Sequence, residues 1–306
     1  MTSIKREEFL NLAPEAVAKL VRAVAGPQQV CVFPINGTRL WFMLEHGDKI
    51  QDDWMQSYMD IAGKKHTEIY GRCFQHGLDT IVSPVFGGEL LNRGEEYVQR
   101  VTADGLSRLA THPDFLSFYK KYQVRVYFYG DYRRQLAATS FSYLADQFDH
   151  ISQHTANHTR YRLFYGVFAS ESIEPVAEMT VRFFQKTGRV PTQHELIEMY
   201  YGASIEKANI FIGFEKFNVF DYPLLSWGEE SLYFTVAPSL YLTDRQLRNI
   251  LYDYINLSPF QDPNYAEMPV EDFEAMRRFY EVNRETTFGV GEMSGGIWYP
   301  KSGIQE

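Results

Sequence analysis

Six apolar, β-rich runs alternate with helix-forming segments along this chain, and that alternation restricts the fold more than any other feature. The runs are "QVCVFPI" (29–35), "LDTIVSPVF" (78–86), "QVRVYFYG" (123–130), "YRLFYGVF" (161–168), "NIFIGF" (209–214) and "SLYFTV" (231–236). Continuous apolar runs suit strands covered on both faces. Between them the pattern predicts helices at about 4–24, 52–76, 89–110, 133–148, 172–187 and 192–203. Such alternation builds a mainly parallel sheet with helices on both sides, so the expected class is α/β. Thr192 with Glu195, just after Pro191, and Thr243 with Gln246 have the spacing of helix-starting capping boxes. A last helical stretch, "VEDFEAMRRFYEVN", leads into the Gly-rich "FGVGEMSGGIWY". With no repeat and no low-complexity linker, residues 1–306 are expected to form one domain.

Charge and composition narrow the function. The formal net charge is −9, and the basic residues are scattered among more numerous acids, which excludes the clustered Lys and Arg of a general nucleic-acid binder. No run approaches the roughly 18 consecutive apolar residues of a membrane span. "MTSIKREEFL" lacks the apolar core of a signal peptide, so a cytoplasmic protein is expected. Cys31 and Cys73 form neither a disulfide framework nor a CxxC pair and read as buried thiols. Aromatic residues make up 16% of the chain, with 23 Phe and 21 Tyr. Most must be core, because large rings contribute the most buried area. Any surplus suits a pocket for an apolar substrate whose cationic intermediates are stabilised by ring faces.

In this topology ligands sit where strands end and helices begin, because unpaired helix N–H groups attract anions. Asn36-Gly37-Thr38-Arg39 falls at the end of the first run. The residues alone leave two readings open, a phosphate-binding loop and an ordinary Asn-Gly turn. Asp52-Asp53 reads as a solvated helix start, since no third acid follows at the spacing of an Asp-rich metal site. His150, His154 and His158 recur every fourth residue, but "HISQHTANHTR" is rich in poor helix formers and is not expected to present a metal-binding face. Lys64-Lys65 reads as a solvated helix face.

"FPINGTRLWF" (33–42) resembles the first motif of the cis-prenyltransferases, the undecaprenyl-diphosphate synthase family, whose pattern is Asp-Gly-Asn-x-Arg-Trp. "FGGELLNRG" is similar to that family's Phe-Ser-x-Glu-Asn-Trp-x-Arg-Pro, keeping Phe86, Glu89 and Arg93 but carrying Leu90 and Leu91 for Asn and Trp. "VRVYFYGDYRR" resembles its central Arg-Val-x-x-x-Gly-Asp strand, and "PLLSWGEESLYF" its C-terminal segment. Longer stretches, among them "LSFYK" (116–120), "FYGDY" (128–132), "SLYFTVAPS" (231–239) and "FGVG" (288–291), resemble the bacterial branch that contains tuberculosinol and kolavelool synthases. That resemblance implies a single-domain cis-prenyltransferase fold, a homodimer, Mg²⁺ as cofactor and a bicyclic diterpene diphosphate as substrate. The diphosphate is expelled and the allylic cation is trapped by water or by a nucleoside nitrogen.

Carried over residue by residue, the resemblance implies diphosphate and substrate contacts for Asn36, Gly37, Thr38, Arg39, Trp41, Phe86, Glu89 and Arg93. It implies catalytic positions for Asn36, Trp54 and Tyr97, and a metal position at Asn36. The departures bear on the reaction. Asn36 stands where the family has Asp, and a neutral amide is a weaker ligand for a hard cation. Leu40 replaces the arginine before Trp41, leaving Arg39 as the phosphate arginine of the loop. Ser231 stands for a metal-ligand Glu, and "FIGFE" (211–215) for the "RTSGE" segment that holds a second diphosphate. A one-diphosphate reaction is therefore expected, rather than chain elongation. Tyr97 matches a tyrosine whose hydroxyl orients water or takes a proton, and Trp54 replaces its partner with an indole that can stabilise charge but not act as a base. The expected product is a tertiary alcohol of the kolavelool kind. The alternatives are prenyl transfer to adenosine and a non-catalytic subunit.

Overall fold

The computed structural model describes residues 4–47, 54–87, 104–137, 139–170, 172–257, 263–301 and 304. Six strands, β1 (Val30–Val32), β2 (Thr80–Phe86), β3 (Val124–Tyr129), β4 (Tyr161–Val167), β5 (Ile210–Phe214) and β6 (Ser231–Thr235), form one sheet in the order β3-β4-β2-β1-β5-β6. All five neighbouring pairs are parallel. Each strand falls inside one of the apolar runs, and alternate residues feed two cores. Cys31 packs into one layer, whereas Val30 and Val32 pack into the other. Helices cover both layers, as an all-parallel sheet requires to keep its faces dry.

β1 has β2 on one side and β5 on the other, so the strand order reverses direction beside it. Sheets of this kind bind ligands at that reversal, outside the carboxyl ends of the strands. β1 runs there into the Asn36 loop and α3 (Thr38–His46), and β2 carries a register shift between Pro84 and Phe86 at the same end.

The expected helices are present but divided differently. The predicted 4–24 helix is α1 (Arg6–Leu10) and α2 (Pro14–Ala25), because Pro14 sits at the first turn of the second and cannot continue the first. α4 (Trp54–Gln75) matches its prediction closely. Of the predicted 89–110 helix, residues 89–103 lie outside the described residues; α5 (Ser107–Thr111) is its end, and α6 (Pro113–Tyr122) follows. The 133–148 stretch divides into α7 (Tyr132–Ala137) and α8 (Tyr143–His154), with the Thr139 hydroxyl donating to the Leu136 carbonyl near the break.

α8 runs further into the histidine stretch than the composition of that stretch predicts. His150 and His154 are helical, their rings 6.3 Å apart, because Phe148 and Ile151 bury the opposite face. His158 lies beyond the helix with Nδ1 2.9 Å from the Val124 carbonyl, and among the described residues no group of three His, Cys, Asp or Glu is placed to hold a metal.

α9 (Ile173–Thr187) and α10 (Gln193–Tyr201) pack on the far side of the sheet, and α10 begins with the full capping box of Thr192 and Glu195. Thr243 makes the forward half of its box, its hydroxyl accepting from the Gln246 N–H at 3.1 Å to start α11 (Asp244–Asn256). α12 (Val270–Val282) is followed by a hairpin, β7 (Gly291–Ser294) and β8 (Ile297–Pro300). Its turn is Gly295-Gly296, both at positive φ, the geometry that suits a two-residue hairpin. Cys31 and Cys73 are buried and unbridged. Among the described residues no helix is long and apolar enough to cross a membrane.

Candidate active site

The Asn36-Gly37 pair is a strand-to-helix junction rather than a hairpin turn. The Asn36 N–H donates to Ser239 Oγ at 3.1 Å, and the Asn36 carbonyl accepts from the Ser239 N–H at 3.1 Å, so this peptide is held from both sides. Gly37 then adopts φ 69°, ψ 16° as the N-cap of α3. A Cβ there would lie 2.7 Å from a Phe214 ring carbon and 3.1 Å from Pro238 Cβ, so both the conformation and the space call for glycine. The first-turn N–H groups of α3 have no acceptor within the helix, and they carry its positive dipole end. Thr38 Oγ1 shares a 2.6 Å hydrogen bond with the Tyr58 hydroxyl, which pins the turn to α4. The Arg39 guanidinium carbon lies 5.2 Å from the centre of the Trp54 ring.

This junction opens on a cavity of about 450 Å³, within the ~300–1,000 Å³ of small-molecule sites. One wall is a face of α4, where Tyr58, Ala62, His66 and Tyr70 recur every fourth residue. The end of β2, through Pro84 and Phe86, forms another wall. Arg108 and Phe115 enter from α5 and α6, and Phe220 and Asp221 from the segment after β5. The rim therefore offers helix N–H groups and arginine, while much of the wall is aromatic.

Burial sets the state of the titratable groups. Burial pushes the Tyr70 hydroxyl well above its ordinary value, and that hydroxyl shares a 2.8 Å hydrogen bond with Ser83 Oγ, which in turn donates to the Phe33 carbonyl. Burial lowers the His66 imidazole below its ordinary value, partly opposed by the hydrogen bond to Ala62. The Arg108 guanidinium is held 2.6 Å from the Asp60 carboxylate. Asp221 sits at φ 61°, its carbonyl accepting from the Tyr129 hydroxyl at 2.7 Å.

Of the residues expected here, Asn36, Gly37, Thr38, Arg39 and Phe86 line the cavity together. Trp41 does not; its ring is buried 6.4 Å from the Tyr241 ring and 5.6 Å from the His46 ring. Trp54 stands behind the rim, under Arg39 and 6.3 Å from the Tyr58 ring. Glu89, Arg93 and Tyr97 lie outside the described residues. Sequence reading missed Tyr58, His66, Tyr70, Arg108 and Asp221. The four-residue spacing along α4 is the one signal that marked three of them.

A divalent cation is a poor match to the described donors. Mg²⁺ takes oxygen ligands in near-octahedral geometry, and the loop at the end of β1 supplies only a neutral carboxamide at Asn36, which leaves Asp221 as the single carboxylate among the described residues of the cavity wall.

The comparisons agree with this geometry. No family model matches the chain. The chain is 40% identical over 301 residues, 98% of its own length and 99% of the other's, to tuberculosinyl adenosine transferase of Mycobacterium tuberculosis. It is 26% identical over 235 residues, 75% of each chain, to (+)-kolavelool synthase of Herpetosiphon aurantiacus. Among solved structures, lavandulyl diphosphate synthase from Lavandula x intermedia, in complex with dimethylallyl diphosphate, superposes with a TM-score of 0.53 at 14% identity, covering 79% of this chain and 98% of that one. A probable undecaprenyl diphosphate synthase from Campylobacter jejuni gives 0.54 at 12% identity, covering 78% and 99%. These two likenesses show the fold. With its parallel six-stranded sheet and its glycine-started helix at the strand reversal, the chain has the fold of the cis-prenyltransferases and belongs to the family of tuberculosinyl adenosine transferase.

Proposed function

We propose that this protein is a diterpene synthase that ionises a bicyclic diterpene diphosphate, of kolavenyl or tuberculosinyl type, and adds water to the allylic cation. The observation that carries the reading is one anion cradle opening onto one aromatic-walled cavity. The C–O bond breaks heterolytically and the electron pair leaves with the diphosphate. The first-turn N–H groups of α3 and the Arg39 guanidinium face that developing charge, a type of stabilisation worth about 10²–10³ in rate per donor. The rings of Tyr58, Phe86, Phe115 and Phe220 on the wall tolerate the carbocation left behind. The products are a diterpene alcohol and diphosphate.

A second reading, transfer of the prenyl group to adenosine, is supported by the 40% identity to a tuberculosinyl adenosine transferase. Incubation with kolavenyl and tuberculosinyl diphosphates, with and without adenosine, and product identification by mass spectrometry separates the two. Alcohol as the main product in both conditions is expected. An adenosine adduct displacing the alcohol selects the second reading, and no diphosphate release from either substrate ends both. The same proposal includes a homodimer acting in the cytoplasm, with Mg²⁺ arriving on the substrate's diphosphate rather than held by the described side chains.

A further inference from the structure

Hydration of an allylic cation leaves one proton to be removed from the captured water, and the chemistry of the cavity wall narrows where it goes. This step rests on the hydration reading above. Besides His66, the titratable or charged groups facing the cavity among the described residues are Arg39, Tyr58, Tyr70, Arg108 and Asp221. The two arginines are cations and have no lone pair to offer. The Tyr58 hydroxyl is engaged with Thr38 and the Tyr70 hydroxyl with Ser83, and a neutral phenol is a poor proton acceptor. The Trp54 indole behind Arg39 is a donor only. Asp221 already interacts within the protein, with its backbone carbonyl accepting from Tyr129, and its carboxylate is the competing acceptor that the Asp221→Asn variant tests.

His66 differs from all of these. Its Nδ1 lies 2.6 Å from the Ala62 carbonyl one turn back on α4. A carbonyl only accepts, so Nδ1 carries the proton and donates, and this fixes the tautomer with a bare lone pair on Nε2. With Nδ1 on the Ala62 carbonyl, Nε2 is the ring nitrogen not tied to the helix backbone, and the residue lies on the cavity wall between Ala62 and Tyr70. Among the described residues Nε2 has no hydrogen-bond partner. Burial keeps the ring neutral near neutral pH, the state in which it can accept.

We propose that His66 Nε2 takes the proton when water is captured: the water oxygen bonds to the cationic carbon, one water proton moves to Nε2, and the imidazolium then passes it to solvent. The lone pair of an unprotonated adenine nitrogen would attack the same cation with no proton to lose at the forming bond. His66 therefore serves hydration and is idle in nucleoside transfer, so it separates the two reactions this cavity supports.

The test uses His66→Gln in the full-length protein, with kolavenyl and tuberculosinyl diphosphates. Alcohol formation should fall about 100-fold in kcat, with KM little changed, and the cation should instead lose a proton to give olefin. Wild-type alcohol formation should decline as pH falls through a value below the usual histidine figure of about 6.5, and His66→Gln should lack that limb. An unchanged alcohol rate and an unchanged acid limb in folded His66→Gln would overturn the proposal, as would loss of the limb in Asp221→Asn alone. Should His66→Gln fail to fold, His66→Ala supplemented with imidazole is expected to regain alcohol, and a folded His66→Ala that imidazole leaves silent overturns it. The wild type gives an independent reading: an alcohol-to-olefin ratio that stays flat between about pH 5 and 8 also overturns it. Failure of the wild type to release diphosphate removes the hydration reading as well, whereas release with alcohol indifferent to His66 removes this inference alone.

Discussion

At the scale of single residues, Gly37 shows how a local conformation becomes chemistry. Its left-handed φ turns the chain out of β1 and into α3 so that the helix start faces the cavity, and Phe214 and Pro238 fill the space a side chain would need. Gly37→Ala is expected to cost about 1–2 kcal/mol from the backbone alone, with the contact to Phe214 added. Diphosphate release should fall more than stability does, because tilting the first turn of α3 moves the donors from the departing charge. A kinetic assay beside a thermal melt checks this, and wild-type rates in Gly37→Ala would show that the junction does not hold the anion. The position of the loop was legible at the end of the first apolar run, but its residues alone left a phosphate-binding loop and an ordinary Asn-Gly turn both open. His66 was not legible. On a predicted helix whose neighbouring Lys64-Lys65 read as a solvated face, a histidine facing a cavity looks the same as one facing solvent until the sheet and α6 close around it.

At the scale of elements, strands were easier to read than helices. Val30–Val32 and Tyr161–Val167 are buried along their whole length or nearly so, and the sequence shows that directly as unbroken apolar runs. Helix ends depend on single residues that periodicity overlooks, such as Pro14 at the start of α2. The histidine stretch failed for a different reason: its Ser and Asn content disfavours a helix, yet burial of Phe148 and Ile151 outweighs that weak preference. Capping, in contrast, was readable at Thr192. There the Thr192 hydroxyl accepts from the Glu195 N–H, while the Glu195 carboxylate accepts from the Thr192 N–H at 2.8 Å. Arg189 and these Thr192 contacts hold the Glu195 carboxyl down to about 2. The helix so started, α10, carries Tyr201, whose hydroxyl donates to the Pro223 carbonyl at 2.7 Å beyond the Phe220-Asp221 wall. Thr192→Ala should lower stability by about 1 kcal/mol, seen as a drop of about 2–4 °C in Tm, with kcat retained at temperatures where the variant is folded. An unchanged Tm would mean that α10 does not depend on its cap.

At the scale of the whole molecule, apolar surface is left over. α9 and α12 contribute no buried residue, and they expose Phe184 and Tyr280. β6 is an edge strand with Leu232 exposed and Val236 following it at 73% exposure. Open edges and apolar faces of this kind favour association, and natural sheets usually cover them. Sedimentation equilibrium is expected to give the mass of a dimer. A monomer across the concentrations used for kinetics would remove the homodimer from the proposal. Nothing in the sequence marked this surface, because an apolar residue on a predicted helix reads as core until the fold leaves it outside.

The paired contacts between Asn36 and Ser239 join positions 203 residues apart. An early fragment of the nascent chain can therefore contain the whole Asn36–Arg39 loop and still lack the partner that holds it. The anion site proposed for this loop is complete only once the chain has been made past Ser239. A polypeptide cut short before that point is expected to lose any activity that depends on this loop, which ties the proposed reaction to the last quarter of the protein.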